Sequence, residues 1–350
     1  MKLRQWTTNS TILNDQARND KTNAEPTVKI LGLVWNAKAD TLSISLANLS
    51  EEIKNVKKVT KRSALSLSSK LFDPLGFVEP ITVKTKIMMQ QLWKQNVKWD
   101  EILPKNVKES WIKWLNELSH LELVEIVIPR PYFKDNVNDI QFHVFCDSSK
   151  LAYGTVAYLR ANTHQGTKST YVTSKSKVAP VKHQAIPRLE LLAAHLGAEL
   201  ANYLSTTVLA KSKPPRCILW SDSKIALSWI SSTKHLHLQF VRHRVQLIRD
   251  LTLQSTWRYC PTASNPADHI TRGIEAKTFI LKSQDWRQGP PWLTKPEGEW
   301  PSVSSDEIEK TAETEESPTK TSTTTNLNHQ TFFFFSIGAV EFYFFIWKKI

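Results

Sequence analysis

Along the first fifty residues, apolar positions dominate Val28–Trp35, and Leu42, Ile44 and Leu46 then alternate with polar neighbours across Thr41–Leu46. A two-residue period on either side of the turn-like Asn36–Asp40 predicts a β-hairpin. The period then changes, and 51–125 reads helical. Ser66–Leu71 leads to a break at Asp73-Pro74-Leu75-Gly76. Thr82–Trp93, with Ile87, Met88 and Leu92, predicts one amphipathic helix, and Asn106–Leu118 predicts another. The second stripe, Trp111, Trp114, Leu115 and Leu118, reads as core rather than as a platform for bases.

Beyond residue 140 strands come first. Gln141–Cys146, Ala152–Arg160 and Thr170–Ser174 predict three strands joined by tight turns. Pro187 suits the first turn of a helix, and Leu191, Leu192, Leu196 and Leu200 carry that helix to about Leu204. After Pro214-Pro215 follow a buried strand (Cys217–Trp220), two helices (Lys224–Ile230 and Leu238–Leu251) and a last strand (Thr256–Tyr259). The order β-β-β-α-β-α-α-β makes this half α+β.

Charge narrows the partners. The 350 residues carry a net +13. Segment 301–320 holds six acids against two lysines and 321–350 is +1, so residues 1–300 carry +16. A surplus that large favours a polyanion, nucleic acid before membrane. Three cysteines, odd in number and far apart, exclude a disulfide framework or a Cys-x-x-Cys zinc site and suit a reducing compartment, cytoplasmic or nuclear. No secretory signal opens the chain. The apolar run Phe332–Trp347 is interrupted by Glu341 and falls short of the ~20 residues a spanning helix needs, so no membrane partner is expected.

Candidate chemistry lies in four acids. Asp147 and Asp222 follow apolar strand runs, Glu190 falls in the first turn of a helix, and Asp268 sits in a loop after the last strand. Converging carboxylates repel and raise one another's pKa, a cost that hard divalent cations relieve. Oxygen-only ligation suits Mg²⁺ or Mn²⁺. A pair of such ions about 4 Å apart can hold both the attacking and the leaving oxygen of a phosphodiester. A metal-dependent nuclease is the leading expectation.

Six segments make a resemblance: Lys-Ile-Leu-Gly-Leu-Val-Trp-Asn (29–36), Leu-Phe-Asp-Pro-Leu-Gly-Phe (71–77), Phe-Cys-Asp-Ser-Ser-Lys-Leu-Ala-Tyr-Gly (145–154), Pro-Arg-Leu-Glu-Leu-Leu-Ala-Ala (187–194), Trp-Ser-Asp-Ser (220–223) and Asn-Pro-Ala-Asp-His-Ile-Thr-Arg-Gly (265–273). In this order, the chain resembles BEL/Pao-type retrotransposon polyproteins at the end of the reverse transcriptase and its RNase H domain. The resemblance implies a flexible N-terminus (1–27), the last hairpin of a polymerase palm (28–50) and a helical thumb or connection (51–130). After these come an RNase H-like mixed five-stranded sheet flanked by helices (138–276), an extension (277–300) and a disordered tail (301–350). It implies that Asp147, Glu190, Asp222 and Asp268 hold two Mg²⁺ or Mn²⁺ ions and hydrolyse RNA in an RNA–DNA hybrid. Ser148, Ser149 and Ser223 beside the acids, with Lys234, Arg242, Arg244 and Arg249 near the predicted third helix, are the expected nucleic-acid contacts. Ancestral partners include the rest of the polyprotein.

Departures from the pattern set the alternatives. The stretch Arg258–Ser264 lacks the histidine that many RNase H enzymes carry before the last acid, and His269 is expected to serve packing or surface instead. No Tyr-x-Asp-Asp segment occurs, so DNA synthesis is not expected of this chain alone. An aspartic protease needs Asp-Thr-Gly or Asp-Ser-Gly, whereas Asp147 precedes Ser-Ser and Asp222 precedes Ser-Lys. Integrase-type spacing fits Glu190 poorly. The competing reading is an inactive nucleic-acid-binding remnant of the polyprotein.

Overall fold

The structure is a computed structural model that describes residues 8–10, 12–13, 27–30, 32–44, 58–122, 126–133, 137–207, 215–233, 238–304 and 306–308. The expectations for Lys234 and for the Phe-rich tail lie outside these residues. The chain divides into two compact units. One takes the described residues before Asn136 with Gly273–Gln284, and the other takes Val137–Arg272 with the described residues from Asp285 onward.

In the first unit a four-stranded antiparallel sheet forms in the order β1 (Thr27–Ile30), β2 (Leu33–Asn36), β3 (Thr41–Ile44), β4 (Ile126–Pro129). The run Val28–Trp35, expected as one strand, is itself a hairpin. Gly32, at φ +87°, takes a left-handed backbone that L side chains resist, so Ile30 pairs with Leu33. Among the described residues three helices follow β3: α1 (Lys61–Lys70), α2 (Glu79–Lys94) and α3 (Lys105–Glu122). The break between α1 and α2 has a direct cause. Asp73 accepts from the backbone amides of Phe77 (2.9 Å) and Val78 (2.7 Å), while Gly76 turns at φ +74°. That capping leaves a desolvated carboxylate close to Glu79, and the Asp73 pKa is pushed up to about 7. Trp111 and Trp114 are buried, as the stripe predicts.

The second unit holds β5 (Asn138–Ser148), β6 (Ala152–Thr163), β7 (Gly166–Val178), α4 (Ile186–Thr207), β8 (Arg216–Ser221), α5 (Lys224–Ser231), α6 (Gln239–Leu251), β9 (Ser255–Tyr259) and α7 (Asp268–Arg272). The sheet order is β7-β6-β5-β8-β9, antiparallel across the first three strands and parallel from β5 to β8 to β9. This is the mixed five-stranded sheet expected from sequence. A parallel β5–β8 pair needs a long crossover, and α4 supplies it. α4 approaches β5 closely because Gly197 carries no side chain: a Cβ there would lie 2.2 Å from the Cys146 sulfur. On its other side Leu191, Ala194 and Ala198 pack with Trp229, Ile230, Val241, Val245 and Ile248 of α5 and α6.

The stretch expected as an extension is divided. α8 (Ala276–Leu281) belongs to the first unit, where Phe279 meets Phe77 edge-on at 6.0 Å. α9 (Ser283–Gln288) straddles the boundary, and from Asp285 the chain builds part of the second unit's core. Trp286 and Leu293 are buried there, and Trp292 packs on Trp220 at 4.8 Å. The Tyr158 hydroxyl donates to the Trp286 carbonyl (3.0 Å), and Arg160 Nε donates to that of Leu293 (2.8 Å). Glu297 binds both Arg216 and Arg258, which hold its pKa down at about 2.

Candidate active site

Asp147, Glu190 and Asp222 converge although 75 residues separate the first from the last. Each offers a carboxylate oxygen, and these atoms lie within 4.8 Å of one another. Asp147 is the penultimate residue of β5, where it pairs with Gly154 of β6. The missing side chain at Gly154 leaves room for Ile270 of α7, whose methyl would meet a Cβ at 2.8 Å. That close approach brings Thr271 to Asp147, and the threonine hydroxyl donates to Asp147 Oδ2. Glu190 comes from the second turn of α4. Asp222 follows β8, just before α5, whose N-terminus Ser223 caps by accepting from the Ala226 amide (3.2 Å).

Electrostatically the cluster is strained. Burial raises the Asp147 pKa to about 7, and the charges of Asp222 and Asp268 add to it against the Thr271 hydrogen bond. Burial lifts Glu190 well above the ordinary carboxylate range, with Asp147 and Asp222 adding to the effect. Ser148 stands close enough to ease the Glu190 charge, yet it reaches no strict hydrogen-bond geometry. Asp222 is raised too, again mainly by burial. Glu190 Oε2 and Asp222 Oδ1 are buried and have no hydrogen-bond partner. Orphaned carboxylate oxygens cost free energy that a protein seldom leaves uncompensated. The donor set is oxygen only, which fits a hard divalent cation.

Asp268 behaves differently from the other three. It is not in the converging group; it opens α7, and Arg272, four residues on, forms an ion pair with it. Its charge still reaches Asp147 and Asp222, so it borders the site.

The expected nucleic-acid contacts divide as well. Ser149 donates to the Thr271 carbonyl (2.9 Å) and accepts from the amides of Leu151 and Ala152, which makes it a turn residue docking α7. Arg249 is corrected from a phosphate contact to an internal clamp, since its guanidinium donates to the carbonyls of Ile230 (2.9 Å), Trp229 (3.1 Å) and Ser232. Arg242 is exposed, and Arg244 lies 3.7 Å over the Phe240 ring, where Arg188 also approaches at 5.2 Å. His269 packs near Trp286.

Two residues escaped sequence reasoning although they sit in a quoted motif. Asn265 donates to the Cys146 carbonyl (2.9 Å) and accepts from the Ala267 amide (3.1 Å), which pins the 265–273 segment beside β5. Thr271 orients Asp147. The signal for Thr271 was its i+3 spacing from Asp268, which puts both on one helix face.

Residues 60–223 match the family model described as the Pao retrotransposon-like RNaseH-like domain. This region of the chain is similar to that family. Among solved structures the chain is similar to RNase H1 from Halobacterium salinarum NRC-1, with 14% identity, 38% of this chain and 95% of that chain covered, and a TM-score of 0.28. It is also similar to the foamy viral protease-reverse transcriptase in complex with dsDNA (12% identity, 70% of this chain, 47% of that one, TM-score 0.38). A third likeness is LC11-RNase H1 in complex with an RNA/DNA hybrid (10% identity, 40% and 99% covered, TM-score 0.26). The chain thus spans under half of the foamy viral protein. No curated protein matches it.

Proposed function

We propose that the chain is a divalent-metal-dependent endonuclease of the RNase H kind that cuts RNA within RNA–DNA hybrids. One observation carries this reading: three carboxylates, two of them buried and Asp222 half-buried, converge within 4.8 Å, and two of their oxygens are left without partners. Asp147, Glu190 and Asp222 would hold Mg²⁺ or Mn²⁺, and Asp268 at the edge of the group would contribute to holding a second ion. When bound, such ions neutralise the phosphodiester and lower the pKa of a water nucleophile. The protein's own residues do the rest. Thr271 fixes the orientation of Asp147, and the Ser223 cap fixes the start of α5 beside Asp222. Arg242 and Arg244 are suited to phosphate contacts, which position a substrate without reading its sequence. The 2′-hydroxyl of the RNA strand is the feature that would separate hybrid from DNA duplex. The net charge of +13 suits such a polyanion, and the Pao likeness supports a retrotransposon polyprotein as the ancestral setting.

One observation favours a second reading, a module that binds nucleic acid without cutting: Asp268 is paired with Arg272 and stands outside the converging group. The two readings separate on a labelled RNA–DNA hybrid incubated with the full chain and Mg²⁺ or Mn²⁺. Cleavage by the wild type, lost in Asp222→Asn and in chelator, supports the enzyme. Retention of the hybrid with no product under any divalent ion supports the binding module.

A further inference from the structure

The pairing of Asp268 with Arg272 has a consequence for how the site fills. α7 is docked firmly: Thr271 bonds Asp147, Ser149 bonds the Thr271 carbonyl, and Asn265 bonds the Cys146 carbonyl. Its last residue, Arg272, is therefore held at the edge of the carboxylate group. The Arg272 side chain is 61% exposed against 32% for Asp268, so the guanidinium is free to swing into water while the carboxylate stays.

We infer that Arg272 is an internal cation competing with a divalent ion for Asp268, so that it sets the affinity of the weaker metal position. The inference rests on the metal-dependent reading above. With Arg272 in place, Asp147, Glu190 and Asp222 offer one position, and Asp268 joins a second only after it exchanges its arginine. The positive charge also acts on the cluster itself, favouring the ionised forms of Asp147 and Glu190 while opposing the approach of a further cation. Arg272 is thus a positioning residue whose effect appears in metal affinity, not only in turnover. It would raise the divalent concentration at which both positions are filled.

Calorimetric titration of the full chain with Mn²⁺ tests this, using Arg272→Gln, Arg272→Lys, Asp268→Asn and the Asp268→Asn/Arg272→Gln double variant. An exposed pair is modest in strength, so Arg272→Gln is expected to tighten the weaker position about three- to tenfold. Arg272→Lys, which keeps the charge, stays near wild type. In the Asp268→Asn background the gain disappears, because the carboxylate under competition is gone. Thermal unfolding in chelator confirms that each variant folds. The inference is overturned if Arg272→Gln leaves the isotherm unchanged or weakens it, or if the gain persists without Asp268. If the wild type binds no Mn²⁺ at all, the metal-dependent reading falls and takes this inference with it. If the wild type binds and Asp222→Asn abolishes binding, an unmoved Arg272→Gln isotherm overturns this inference alone.

Discussion

Replacing Asp147 by asparagine should stabilise the metal-free protein while destroying its response to metal. Burial and neighbouring carboxylates move the Asp147 pKa from 3.8 to about 7. Ionising it in the folded state at pH 8 therefore costs on the order of 4 kcal/mol relative to the unfolded chain. Asparagine removes that cost and can still accept from Thr271. Its amide must find a partner among buried groups, a penalty of about 1–3 kcal/mol. The net expectation is a gain of about 1–3 kcal/mol, or a rise of roughly 3–8 °C in Tm for a unit of this size. Differential scanning fluorimetry in chelator at pH 8 measures it. In wild type the folded state holds more protons than the unfolded between pH 4 and 7, so metal-free stability falls as pH rises through that window. Saturating Mn²⁺ should restore wild type by about 3–4 kcal/mol at 100 to 1,000 times Kd and leave Asp147→Asn unmoved. The reasoning is refuted if Asp147→Asn is the less stable protein in chelator, or if Mn²⁺ stabilises both equally.

Other consequences reach beyond the cluster. Gly197→Ala should cost about 1–3 kcal/mol by forcing α4 off Cys146, and by displacing Glu190 it should also weaken Mn²⁺ binding. Unfolding and titration read the two effects separately. Arg249→Met removes the guanidinium donors from three carbonyls at the end of α5, so denaturant unfolding should show a loss of about 2–3 kcal/mol with the metal isotherm unchanged. Trp286→Ala, in the segment after Asp285, should destabilise the second unit by about 3–5 kcal/mol in the same assay, because that side chain is buried. Glu297, held down at about 2, contributes stability that is present above its ordinary value of 4.5 and lost as pH falls toward 2. Solvent screening keeps that share to about 1 kcal/mol, so Glu297→Gln should flatten the acid limb of the unfolding curve only slightly.

Much of the second unit was legible because its period changes are sharp. Strand alternation in β5–β7, the Pro187 start of α4 and the two helices after β8 each carry a local signal, and the observed elements extend the expected ones by a few residues. What escaped is non-local. β4 is four residues inside a stretch read as helical, and it exists through pairing with β3 about 85 residues earlier. The cut through 277–300 depends on which side chains find a sheet face to cover, which no window of sequence reports. Arg249 was misread for a similar reason. A basic helix face looks like a phosphate grip until the carbonyls ending a neighbouring helix are seen to need donors. The Asp268–Arg272 pair, in contrast, was readable from i,i+4 spacing. Three acids could be placed on their elements from sequence, but their convergence required the parallel β5–β8 pairing and the Gly197 contact.

Anomalous diffraction from crystals soaked in Mn²⁺ puts the central claim to its most direct test. A peak about 2.1 Å from oxygens of Asp147, Glu190 and Asp222 is the predicted result. Density at those carboxylates explained by water alone, with manganese bound elsewhere or nowhere, would contradict it.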